Sequence, residues 1–264
     1  MSQLALAAGA PDTALDYAKR ALDIAARAAS SQPQNLEAAR NHAVQCEQLG
    51  DLLLLSGTVE SAEPLFLQAT EINRRLVASS RESAHYARNL STNLVKPADV
   101  AMQRHQFERA RHQLEEALQI CRSLAAIAPA DVVPIRDESV CLERLGDLCF
   151  SIGRYHQAKT CYQQSLITAE QLTRRSPENT EFARNVTVSL NKLADLLMAD
   201  GDFPGAQELY ERAFSIRERL SAASPENRQL AQDLQFSCVK LAKLHSARQQ
   251  PQLAQAFVTQ AAHS

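Results

Sequence analysis

The sequence has no tryptophan and few aromatic residues, 5% in all, so a large aromatic-lined pocket is not expected. Glycine occurs seven times in 264 residues, too rarely for a sheet-rich fold full of tight turns. No apolar run approaches the roughly 18–20 residues of a membrane span. An excess of one charge is also missing. The 28 basic and 30 acidic residues are interspersed and leave a formal net charge of −2, which argues against the basic footprint of a nucleic-acid binder. The six cysteines (Cys46, Cys121, Cys141, Cys149, Cys161 and Cys238) form no CxxC pair and read as reduced thiols. Met1 to Ala10 has no basic start and no convincing apolar core, so no signal peptide is expected and the cytoplasm is the expected location. Walker, GxGxxG, GxSxG and HExxH motifs are lacking, and no Cys or acidic partner completes a ligand set with His105 and His112 at metal spacing. The chain therefore reads as a non-enzyme with no catalytic residue, no metal and no cofactor.

What the sequence does have is a period. Leu49-Gly50-Asp51-Leu52, Leu145-Gly146-Asp147-Leu148 and Leu193-Ala194-Asp195-Leu196 lie in one 48-residue register. Asp99, in Pro97-Ala98-Asp99-Val100, and Lys243, in Leu241-Ala242-Lys243-Leu244, fill the remaining positions without insertion or deletion. Gly9, Gly57, Gly153 and Gly201 share a second register, with His105 substituting once. Ala14, Ala62, Ala110, Ala158, Ala206 and Ala254 share a third. Pro33, Pro129, Pro177 and Pro225 share a fourth, with Arg81 in the gap.

One unit, from Pro177 to Pro225, shows how a repeat folds. Ser176-Pro177-Glu178-Asn179 combines a breaker with capping chemistry. A first helix is expected from about Thr180 to Ala199, because Phe182, Val186, Leu190, Leu193 and Leu197 step by three or four residues. Asp200-Gly201-Asp202 ends it, with glycine suited to a left-handed cap. A second helix is expected from about Pro204 to Ala222, with Ala206, Leu209, Tyr210, Ala213, Phe214, Ile216 and Leu220 on one face. Gly50, Gly146, Ala98, Ala194 and Ala242 hold a position where small size permits close helix approach. Pro97, in mid-helix, should kink or divide the first helix of its repeat.

These residues resemble the tetratricopeptide repeat family. The family pattern is matched by Leu142, Leu145-Gly146, Gly153, Tyr155, Ala158, Tyr162 and Ser165-Leu166. It is matched again by Leu190, Leu193-Ala194, Gly201, Phe203, Ala206, Tyr210 and Ala213-Phe214. The usual repeat has 34 residues; this one, with 48, looks like the extended variants of kinesin light chains and of large bacterial arrays. The resemblance implies an all-α, right-handed superhelical solenoid of antiparallel helix pairs, with about 11–12 helices in one domain over residues 1–264. The repeat units run over about 1–32, 33–80, 81–128, 129–176, 177–224 and 225–264. The first unit has only a stub of its first helix, Ser2 to about Ala8, and a second helix from about Thr13 to Ala29. The last stops inside its second helix, where Gln260 and His263 soften an end that exposes Leu253, Phe257 and Val258. Either the chain is cut from a longer protein or its ends stack on a partner or another copy.

The resemblance also implies a groove formed by the first helices. Two polar ladders run along them: Asp51, Asp99, Asp147 and Asp195, and Arg40, Arg88, Arg136 and Arg184, the latter followed by Asn41, Asn89, Asp137, Asn185 and Asp233. Such ladders either hold a bound peptide or pair between repeats and set the superhelix; Arg suits both roles. Specificity is expected where repeats differ, at Glu47, Val95, Glu143, Asn191 and Val239 and at Leu54, Met102, Phe150 and Met198. Acidic and apolar residues alternate there, so the expected partner is a protein or peptide with basic and apolar groups. The pattern does not match the clamp that holds acidic chaperone tails. Cys46 and Cys238 share a register with Leu94, Leu142 and Leu190 and read as core. The function expected is a protein-binding scaffold. A self-assembly element, and a regulatory arm of an enzyme whose catalytic domain lies elsewhere, are the alternatives.

Overall fold

The computed structural model describes residues 11–80 and 83–263. Gly9, the stub from Ser2 to Ala8 and Arg81 lie outside them. Eleven helices and no strand are found among the described residues. In chain order they are α1 (Pro11–Ser31), α2 (Leu36–Leu55), α3 (Val59–Ser79), α4 (Ala84–Gln103), α5 (Phe107–Ile127) and α6 (Val132–Ser151). There follow α7 (Tyr155–Arg175), α8 (Thr180–Asp200), α9 (Phe203–Ala223), α10 (Arg228–Ala247) and α11 (Pro251–His263). The even-numbered helices are the first helices of their repeats. Residues 1–137 and 138–264 form two compact units, with the division inside α6. In the first unit α1 to α5 pack each on the next, as α7 to α11 do in the second.

Capping chemistry fixes where the first helices begin. Asn35, Asn179 and Asn227 each accept two backbone N–H bonds from the first turn that follows. Ser83 accepts one from Tyr86 and Asp131 one from Val133. These five residues share the 48-residue register, so a side-chain oxygen replaces the carbonyl that the first turn lacks. The first helices end equally regularly. Gly57, Gly153 and Gly201 take φ of 77°, 75° and 82°, and His105 and Gln249 reach 58° at the same register. The residue after each of them donates back to a carbonyl five residues earlier, as Thr58 does to Leu53 at 2.9 Å and Gln106 to Ala101 at 2.8 Å. This is the helix-ending bond pattern that requires a left-handed residue. The repeat thus keeps the conformation even where it has lost the glycine.

Between the two helices of a repeat, small residues meet large rings. A Cβ added to Gly50 would lie 2.6 Å from Cε1 of Phe66, and one on Gly146 would collide with the Tyr162 ring. Phe66 and Tyr162 are buried against Ala62 and Ala158, the alanines of the third register. Cys46 and Cys238 are fully buried among apolar neighbours. Burial, and then the charge of Glu47, pushes the Cys46 thiol up to about 12, so it stays protonated.

Pro97 does not divide its helix: α4 runs unbroken from Ala84 to Gln103. The carbonyl of Asn93 loses the amide that residue 97 would have offered. Thr70 Oγ1, on the neighbouring α3, lies 2.9 Å from that carbonyl oxygen and 2.9 Å from its own Phe66 carbonyl. In the other repeats, the Thr70 position holds Leu22, Leu118, Leu166, Phe214 and Ala262, and in four of them the Pro97 position holds Leu49, Leu145, Leu193 and Leu241. The two departures fall in adjacent repeats, on helices that pack together, and compensate each other.

Candidate functional site

Among the described residues, Asp147 and Asp195 on the first helices are bonded from two sides, and Asp51 from one. Tyr162 donates its hydroxyl to Asp147 at 2.7 Å, and Tyr210 donates to Asp195 at 2.5 Å. Each tyrosine stands on the second helix of the same repeat. The other side is a lysine from the first helix of the next repeat. Lys96 reaches Asp51 at 2.5 Å, Lys192 reaches Asp147 at 2.7 Å, and Lys240 reaches Asp195 at 2.6 Å. Burial and the adjacent carboxylates raise both tyrosine hydroxyls well above their ordinary range, so they stay protonated and can donate to the aspartates. Asp99 is half-buried.

The arginines follow a different rule. Arg88 Nε lies 3.2 Å from Asp137, and Arg184 grips Asp233 with Nε at 2.5 Å and Nη2 at 3.3 Å. The acceptor is in each case the residue after the arginine position of the following repeat. Its hydrogen bond to Asp233 holds the Arg184 guanidinium more firmly protonated than usual, against the opposing effect of burial. Where that residue is Asn89 or Asn185, the arginine turns elsewhere: Arg40 to Glu37 at 2.9 Å and Arg136 to Asp137 at 2.9 Å. Arg88 and Arg184 are therefore held by Asp137 and Asp233, which are not members of the Asp ladder. Arg88 and Arg184, with Asp51, Asp147 and Asp195, join one repeat to the next within their unit, whereas Arg40 and Arg136 bond on their own helix. Pairs of this exposure contribute about 1 kcal/mol or less apiece.

Among the positions that vary, Glu47 accepts from Asn93 Nδ2 at 2.8 Å. Glu143 accepts from Ser189 at 2.9 Å and Ser165 at 3.2 Å. Burial raises both carboxyls above the usual range, against these hydrogen bonds. Asn191 is 4% exposed, and neither its Nδ2 nor its Oδ1 finds a partner among the described residues. Val95 is half-buried and Val239 is 42% exposed. Leu54 packs beside Phe66, Phe150 beside Tyr162, and Met198 beside Tyr210; Met102 is half-buried.

Two features of this surface escaped the reading of the sequence. The first is the lysine row itself, Lys96, Lys192 and Lys240, which keeps the 48-residue register and could have been found by the same counting. The second is Phe236, 48% exposed on α10. Its ring lies 5.2 Å from Lys240 Nζ and 5.3 Å from the Arg217 guanidinium carbon. Arg217 is buried where other repeats have Ala25, Asn73, Cys121 and Ala169. It donates to Thr187 Oγ1 at 2.9 Å and to the Asp233 carbonyl and Ser237 Oγ at 3.0 Å. At the end of the second unit, Leu253 and Val258 are about half exposed. Phe257, expected to be exposed, instead stacks on His245 and meets Phe214 edge-on.

Among the described residues, no three of His, Cys, Asp and Glu gather as a metal site, and no helix is long and apolar enough to cross a membrane. Two family models, both described as tetratricopeptide repeat, match residues 186–225 and 141–166. No curated protein matches the sequence. Solved structures do match the fold. BtubC (BKLC) from P. vanneervenii aligns over 96% of this chain and 90% of its own, with 21% identity and a TM-score of 0.71. A candidate kinesin light chain of Podospora anserina with nearly identical TPR-like repeats aligns over 83% of this chain and 92% of its own, with 20% identity and a TM-score of 0.52. Aspartyl phosphate phosphatase F of Bacillus subtilis aligns over 85% of this chain and 60% of its own, with 15% identity and a TM-score of 0.54.

Proposed function

Because the chain is a protein of tetratricopeptide repeats, we propose that it is a scaffold that binds another polypeptide along the first helices of its repeats. The repeat fold is one of protein–protein interaction and is typically non-catalytic. The observation that carries the reading is a division of labour on one helix face. In the second unit Asp147, Lys192, Asp195 and Lys240 are bonded to one another across repeats. Phe236, one turn before Lys240, remains 48% exposed. Val140 and Val188 occupy its register in the two preceding repeats and are half-buried. An apolar row flanked by an internally neutralised charge ladder suits an apolar stretch of a partner. Glu47 and Glu143, which suggested a basic partner, are bonded to Asn93, Ser165 and Ser189, so the apolar half of that expectation is the part retained. The cytoplasm, where the six thiols stay reduced, is the proposed setting.

A photo-crosslinking amino acid at Val188 or Phe236, compared with one at exposed Ile167 on α7, tests the reading. Crosslinks to a partner should form from the first two positions only. Equal yields from all three would overturn it.

Self-association is a second reading, favoured by one contrast. Val239 is 42% exposed, whereas Asn191 at the same register is 4% exposed. With Leu253 and Val258 it forms an apolar end that a second copy could cover. A mass by light scattering that stays monomeric at every concentration would contradict this.

A further inference from the structure

A cleft of about 500 Å³ opens in the second unit between α7 and α9, floored by the start of α8. Its apolar floor is Pro177, Ala183, Val186 and Ile216, and three arginines line it: Arg174, Arg212 and Arg219. Arg212 is held by Glu170, also a lining residue. Arg174 and Arg219 are exposed and form no ion pair among the described residues.

The first unit contains the same cleft at the same register, about 470 Å³ between α1 and α3, so the cavity itself is a product of the repeat. Its charge is not. Ser30 stands where Arg174 does, and Gln68 where Arg212 does. Arg75 matches Arg219 but is paired with Glu71 at 3.0 Å, one turn earlier. At the Glu71 position the second unit has Ser215, which leaves Arg219 free. The lining charges of the first cleft cancel; those of the second, three arginines against one glutamate, leave two positive charges.

We propose that the cleft between α7 and α9 binds a small amphiphilic anion, with its apolar body on Val186 and Ile216 and its carboxylate or equivalent head between Arg174 and Arg219. The volume falls in the range of small-molecule sites. Arg pairs with such heads through a planar fork of donors. The cleft lies between second helices and Phe236 is not among its lining residues, so the proposal does not rest on partner binding at Phe236.

The test is a titration of the full chain with naphthoate, followed by amide resonances of isotope-labelled protein. Signals of Ala183, Val186 and Ile216 should shift to saturation, while those of Leu36, Ala39 and Ile72 in the first cleft should not. The double substitution Arg174→Gln and Arg219→Gln should weaken binding about tenfold or more, since two charge-assisted contacts are removed. Circular dichroism of the variant checks that the fold is unchanged; both side chains are exposed. Absence of shifts in the native chain, equal shifts at both clefts, or an affinity indifferent to the double substitution would overturn the proposal. So would binding of an acetylated Leu-Glu-Leu-Glu peptide at these signals where naphthoate gives none, which would assign the cleft to a polypeptide.

Discussion

The hydroxyl of Thr70 lies 2.9 Å from the carbonyl oxygen of Asn93, the oxygen that Pro97 deprives of its helical amide. Removing that hydroxyl leaves a buried carbonyl without a donor, at a cost of about 1–3 kcal/mol. Thr70→Val should therefore lower Tm and the denaturant midpoint. Pro97→Leu, the residue of the other repeats, returns the amide and should recover most of the loss. A double-mutant cycle checks this; additive effects would mean that the hydroxyl does not serve the proline.

His105 and Gln249 hold a left-handed turn with a side chain present, both at φ of 58°. Left-handed backbone costs a non-glycine residue about 1–2 kcal/mol. His105→Gly should stabilise the chain by about 1 kcal/mol, and Gly153→Ala should destabilise it comparably. Opposite signs in urea unfolding would show that these turns do not set the stability of the repeat.

Glu143 lies where burial raises its pKa. The folded state then takes up its proton more readily than the unfolded state, and the carboxylate opposes folding above the raised value. Stability assigned to this group should increase as pH falls from above the folded pKa toward the ordinary glutamate range. Glu143→Gln keeps an oxygen for Ser189 and Ser165. It should raise Tm at pH 7 and change little near pH 4. A Tm lowered equally at both pH values would mean that the carboxylate charge itself is stabilising.

Much of this was legible in the sequence because each repeated requirement is local. Capping at Asn179, the left-handed turn at Gly201 and the small residue at Gly146 each follow from one position and its neighbours. The placement of charged partners was less legible. Arg184 and Asp195 lie on one helix, about three turns apart, and their two ladders read as candidate partners of each other between repeats. The pairs that form run to the next repeat but to other residues, Arg184 to Asp233 and Asp195 to Lys240. Which side chain meets which depends on how neighbouring helices are offset, and that is absent from a one-dimensional period. Glu143 read as a groove residue for the same reason; its oxygen is taken by Ser189, from the following repeat. Pro97 read as a kink or break because the rescuing Thr70 lies on a different helix.

The proposed division of labour is that bonded ladder residues build the repeat while exposed residues on the same helices bind the partner. It is tested most directly by measuring, in the same variants, both Tm and affinity for the crosslinked partner. Phe236→Ser should weaken affinity about tenfold or more and leave Tm within about a degree or two, because the ring is half exposed. Asp195→Asn, which loses its charge pairing with Lys240, should lower Tm and leave affinity unchanged. The reverse outcome, with affinity lost on Asp195→Asn and retained on Phe236→Ser, would contradict the account.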